Sequence, residues 1–76
     1  MYYIRDNISG QVLSGIGSVS RRFKNISMVW RPWRDRHWAK RFDSPEAAQR
    51  YIDHYLLCDV SIVDEAERLV EVQQGA

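Results

Sequence analysis

Apolar and polar positions alternate through much of the first half of this chain, and one stretch of the second half changes to helical spacing. The opening "YYIRD" is aromatic and β-branched, and "NISGQ" supplies the Asn, Ser and Gly that a turn uses ahead of "QVLSG". An antiparallel hairpin over residues 2–14 is therefore predicted. The glycines and serines of "SGIGSVS" suggest a bend or mobile connection next, with Ile16 and Val19 tucked beneath it.

All three tryptophans fall in "VWRPWRDRHWAKRF", residues 29–42. A second hairpin, centred on Arg34, sets Trp30 opposite Trp38, Met28 opposite Lys40 and Ile26 opposite Phe42. Since side chains alternate across a strand, Ile26, Met28, Trp30, Trp38 and Phe42 share one face, broken only by Lys40. Val29, Arg31, His37, Ala39 and Arg41 share the other. Pro32 cannot donate to a ladder and falls in the loop, with "RDR" as its polar tip. This register turns Trp30 and Trp38 inward and leaves Trp33 exposed.

The helical spacing lies in "DSPEAAQRYIDHYLL". Ser44 is placed as N-cap, Pro45 at the first helical position, and Glu46 beside the positive helix end. Ala48, Tyr51, Ile52, Tyr55 and Leu56 form the core-facing stripe, while Glu46, Gln49, Arg50 and Asp53 face away. Beyond it, "DVSIVD" and "RLVEV" are rich in β-branched residues and suggest a closing hairpin through "DEAE". A short terminal helix competes, because Asp64 and Glu67 have capping-box spacing and Val63, Ala66, Leu69 and Val70 could form its apolar side. Both outcomes give one α+β domain over residues 1–76, a small antiparallel β-sheet with one α-helix packed on its apolar face.

Charge adds a division that the apolar pattern does not show. Residues 20–41 hold Arg21, Arg22, Lys24, Arg31, Arg34, Arg36, Lys40 and Arg41 against Asp35 alone, a balance of +7. Residues 42–76 hold eight carboxylates against Arg50 and Arg68, a balance of −6. The two halves either present faces of opposite field to outside partners or neutralise each other by packing together. Cys58 is the lone cysteine and cannot form an intramolecular disulfide. With no basic-then-apolar leader in "MYYIRDN" and no apolar run long enough to span a bilayer, a cytoplasmic protein without membrane attachment is expected.

The segments "FDSPEAAQRYI" and "SIVDEAERLVEV" resemble the strand, capped helix and closing strand of short uncharacterised proteins encoded by bacteriophages and prophages. The likeness spans about residues 37–72 and does not include "SGIGSVSRRFKN" or the arginine-rich loop. It implies origin on a mobile element and action by binding, for example as an anti-CRISPR-like inhibitor of a host defence complex.

Little in the chain points to catalysis. His54 and Cys58 are four apart at the helix end, but a structural zinc site takes four ligands and only His37 could add a third nitrogen or sulfur. No motif supplies a base and an oxyanion site for a Cys-His pair. "SGIGS" lacks the lysine and the strand-to-helix setting of a phosphate loop. The expectation is a non-enzymatic protein with no cofactor and no metal, whose partner-binding residues are Arg31, Trp33, Arg34, Arg36 and Arg41. A protein partner leads, since Trp and Arg dominate interface hot spots and the acidic helix and tail offer a second surface. Nucleic acid is the alternative, with arginines on phosphates and Trp33 stacked on a base. Opposite-sign faces and an open sheet edge also allow a homodimer.

Overall fold

The computed structural model describes residues 1–20 and 25–72, with the side chains of residues 18–20, 25 and 26 left out of the description. Five strands form one antiparallel sheet: β1 (Tyr3–Asp6), β2 (Val12–Ser20), β3 (Asn25–Arg31), β4 (Val60–Val63) and β5 (Leu69–Val70). Their spatial order is β3-β2-β1-β4-β5, and the helix α1 (Pro45–Tyr55) joins the β3 side of the chain to β4. The fold is thus the α+β arrangement expected, a small antiparallel sheet with one main helix.

The turn from β1 to β2 is built around Asp6. Its carboxylate accepts bonds from the Ser9 hydroxyl (2.8 Å) and the Ile8 amide (3.2 Å), which hold its pKa below the ordinary 3.8. Gly10 takes φ +75° and donates back to the Asp6 carbonyl at 2.8 Å, a conformation open to glycine at little cost.

The closing hairpin prevails over the competing helix through Asp64. Its Oδ1 accepts from the amides of Ala66 and Arg68, both at 2.9 Å, so it closes a turn instead of capping a helix. Strand β5 then pairs with β4, Ile62 opposite Val70 and Val63 opposite Leu69.

The helix begins as expected. The Ser44 hydroxyl accepts from the Ala47 amide at 3.2 Å, and Pro45 follows in the first turn. Its end differs from the expectation, because Leu56 adopts the left-handed conformation (φ 53°, ψ 45°) and is exposed instead of core-facing. That geometry lets the next amide, of Leu57, reach back to the Ile52 carbonyl at 3.0 Å, and it is Leu57 that packs on the core.

Two expectations for residues 15–42 are corrected. "SGIGSVS" is neither a bend nor a loose connection but part of β2, which pairs with β3 from Val12 opposite Arg31 to Ser20 opposite Asn25. Ile16 is exposed, and the Val19 side chain lies outside the description. Consequently the hairpin about Arg34 does not form: Trp30 pairs with Leu13 and Met28 with Ile16, while Trp33–Trp38 coil into two 3₁₀ turns joined at Asp35. Alternation within β3 itself holds, since Met28 and Trp30 both pack against the helix-side core. Two irregularities in the β2 register make the long pairing feasible, one at Ser14 and one at Gly17.

Both faces of the sheet are covered. Ile4, Leu13 and Ile62 turn toward α1 and pack with Phe42 and Ala48. Their neighbours Tyr3, Val12 and Val63 turn the other way and pack with Ala39 and the half-buried Trp33. Each fully buried aliphatic, Ile4, Leu13, Val12 or Val63, contributes about 1.5–3 kcal/mol by leaving water. The chain crosses from one face to the other between β1 and β2. There the Lys40 amide bonds to the Leu13 carbonyl (3.0 Å), and Phe42 exchanges two backbone bonds with Tyr2 (each 2.9 Å).

Candidate functional site

The strap formed by residues 33–39 carries Trp33, Arg34 and Arg36, three of the five residues expected to bind a partner, together with His37 and Trp38. Pro32, at φ −59° and ψ 152°, ends β3 and its carbonyl accepts from the Asp35 amide at 2.9 Å, which opens the first 3₁₀ turn. Trp33 is then directed at the sheet, its ring edge-on to Tyr3 with centroids 5.3 Å apart. The Arg36 guanidinium lies 5.0 Å from the same indole centroid, and its Nη1 donates to the Trp33 carbonyl at 3.4 Å. Trp33 is therefore the anchor of the strap and not the bare tip of a loop.

The Ser14 irregularity serves the strap as well. Arg31 Nε donates to Ser14 Oγ at 2.9 Å, and that hydroxyl donates onward to the Trp38 carbonyl at 3.3 Å. This relay joins β3, β2 and the last strap turn, so Arg31 works as a brace. Of the five residues expected to bind a partner, Arg31, Trp33 and Arg36 are thus held in packing and hydrogen bonds, while Arg34 and Arg41 are exposed.

Trp38, expected in the core, is 66% exposed instead. Its ring leans on the exposed His37, centroids 5.1 Å apart. Exposed Lys40 and Arg41 follow it in the chain, and exposed Arg34 precedes it on the same strap. Lys40 Nζ sits 5.6 Å from the Phe42 ring and 5.4 Å from that of Tyr51. Burial, with Tyr55 beside it, pushes the Tyr51 hydroxyl above its ordinary pKa of 10. A large indole left in water is a binding anchor in form, and sequence parity missed it by assigning residues 37–42 to a strand. The signal against that strand was present: from Pro32 to Arg41 there is no Val, Ile or Thr.

The opposite charges of the two halves do not neutralise each other among the described residues. The two ion pairs there are Met1 amine to Glu65 (3.6 Å) and Arg5 to Glu67 (3.7 Å), and neither involves a cation of residues 25–41. Arg21, Arg22 and Lys24 lie outside the described residues. Among the described residues no three His, Cys, Asp or Glu side chains group as a metal site, and no helix is long and apolar enough to cross a membrane. In comparison with known proteins, the chain matches no family model, no curated protein and no solved structure.

Proposed function

We propose that this chain is a small non-enzymatic protein-binding module whose docking surface is centred on Trp38, with the exposed Arg34 and Arg41 near it in the chain. The single observation that carries the reading is the 66% exposure of Trp38, in a segment whose exposed Arg34 and Arg41 make no ion pair with the acidic half among the described residues. Leaving a large indole in water forgoes its burial energy in the free chain and makes that energy available on docking. The partner this chemistry fits is an acidic protein surface, with indole and guanidinium groups as the anchors. The likeness to short phage-encoded proteins supports a host defence complex as that partner, inhibited by docking in the anti-CRISPR-like manner. Arg31, Trp33 and Arg36 serve by holding the strap in shape.

A second reading rests on one specific observation, the leaning of the exposed His37 on the exposed Trp38, which also suits stacking on bases of a single strand. Affinity capture from a bacterial lysate, with and without nuclease, separates the two. A protein partner survives nuclease and is lost on Trp38→Ala, by about 2 kcal/mol or more. Retention of the captured protein by Trp38→Ala would overturn the surface. Nucleic acid instead predicts loss with nuclease and a log-log salt slope of roughly −0.7 to −0.9 per phosphate neutralised.

A further inference from the structure

Strand β2 runs for nine residues, but its neighbour β1 has only four and meets it at Val12. The strap takes over at Leu13 and Ser14, through the Lys40 amide (3.0 Å) and the Trp38 carbonyl (3.3 Å). Over residues 15–20, β3 is the sole strand beside β2 among the described residues. This part of the β2–β3 pair is a two-stranded ribbon standing out from the sheet, with Ile16 43% and Val29 39% exposed. Two strands alone are marginal in water, and a third strand is what makes such a ribbon stable.

Room for a third strand lies on the outer side of β3. That strand is last in the sheet order, and among the described residues its backbone groups make no bond outside the pairing with β2. Its seven residues reach about 24 Å. The devices that guard an open edge are missing from it. Residues 25–30 contain no Pro and no charged side chain, and both register irregularities are extra residues of β2, which leaves β3 regular. The opposite edge is guarded by brevity, since β5 is two residues long.

We propose that the added strand is β3 of a second copy of this chain, paired antiparallel about a two-fold axis normal to the sheet. The strand that completes this edge must itself be regular, open on one side and free of a cation opposite Arg31, and β3 meets each condition. An axis through Met28 overlaps all seven residues and sets Ser27 opposite Val29 of the second copy. Arg31, the one charged residue of β3, then falls opposite Asn25 and not opposite its own twin, so no like charges meet. Pro32, which has no amide to donate, lies just beyond the last pair. The contact is isologous, closes at two copies and joins two five-stranded sheets into one. It draws on no residue of the strap. A dimer would carry two Trp38 surfaces, a consequence that rests on the docking reading above; the pairing itself does not.

The test uses the purified chain alone from about 10 μM to about 1 mM, the range that brackets weak contacts. Sedimentation velocity is expected to show the mass rising from 9.0 kDa toward twice that value and stopping there. Over the same range the alternate amides of β3 that point away from β2 should exchange with deuterium more slowly, while those of β5 stay unchanged. Ser27→Glu combined with Val29→Glu sets carboxylates opposite one another in the pair and weakens association about tenfold. Ser27→Lys combined with Val29→Lys does the same, and an equal mixture of the two variant chains forms dimers of one of each. Both side chains are exposed, and recovery in the mixture excludes misfolding as the cause of either loss. A single 9.0 kDa species throughout, or growth past two copies, overturns the proposal. So does association that leaves the β3 amides unchanged, or a mixture that stays monomeric. Slower β3 exchange that appears only when a bacterial extract is added would give the edge to a foreign strand and overturn it too.

Discussion

Leu56 holds a backbone conformation that costs an L-residue about 1–2 kcal/mol, and its side chain, 82% exposed, gains almost nothing in return. Leu56→Gly is expected to raise stability by about 1 kcal/mol in urea unfolding, since the left-handed cap is kept and no packing is lost. An unchanged or lower midpoint would mean that Leu56 makes a contact this structure does not contain. The two strap tryptophans are expected to separate by the same measurement. Trp33→Ala removes the wedge between strap and sheet and should cost about 2–3 kcal/mol, less than a fully buried ring because Trp33 is half-buried. Trp38→Ala should stay within about 0.5 kcal/mol of the parent. Equal losses at the two positions would contradict the assignment of anchor and docking group.

At the scale of elements, β2 and β3 lie close enough at Gly17 that a Cβ there would meet Val29 Cγ2 at 2.5 Å. Gly17→Ala should therefore destabilise by about 1–3 kcal/mol, and Val29→Ala in the same chain should recover much of that loss in a double-mutant cycle. Additive losses would place the strain elsewhere. The same pair of strands shows why part of the fold was legible and part was not. Local chemistry sufficed for the first turn and the Ser44 cap, where Ser, Pro and Gly act on their immediate neighbours, whereas the closing hairpin stayed in competition with a terminal helix until the Asp64 turn decided it. Parity also read β3 correctly, with Met28 and Trp30 on the core side. The partner of β3 was not legible, because Gly15 and Gly17 look like a break unless the register shifts at Ser14 and Gly17 are known. Once β2 is denied, residues 37–42 become the adjacent segment with which β3 would form a hairpin, and the Trp38 site is inverted by that one error. The second covered face had a readable trace in the adjacent apolar pairs Tyr3–Ile4, Val12–Leu13 and Ile62–Val63, which no one-sided sheet requires.

For the whole molecule, charge and stability are largely separate matters. The two ion pairs among the described residues are at partly exposed side chains and contribute little to folding. Raising salt from about 50 mM to about 500 mM should therefore shift the urea midpoint only slightly while it weakens docking at the Trp38 surface. A large shift in the midpoint would show that the basic and acidic halves stabilise each other after all. The crossing of the chain between β1 and β2 has its own consequence. Tyr2 is far in sequence from Lys40 and Phe42, yet the amides of all three are secured by one three-way junction with β1 and β2 that must part before any of them meets solvent. Their deuterium uptake should then rise in step under mild denaturant, as a single opening event, with the strap and the first strand released together.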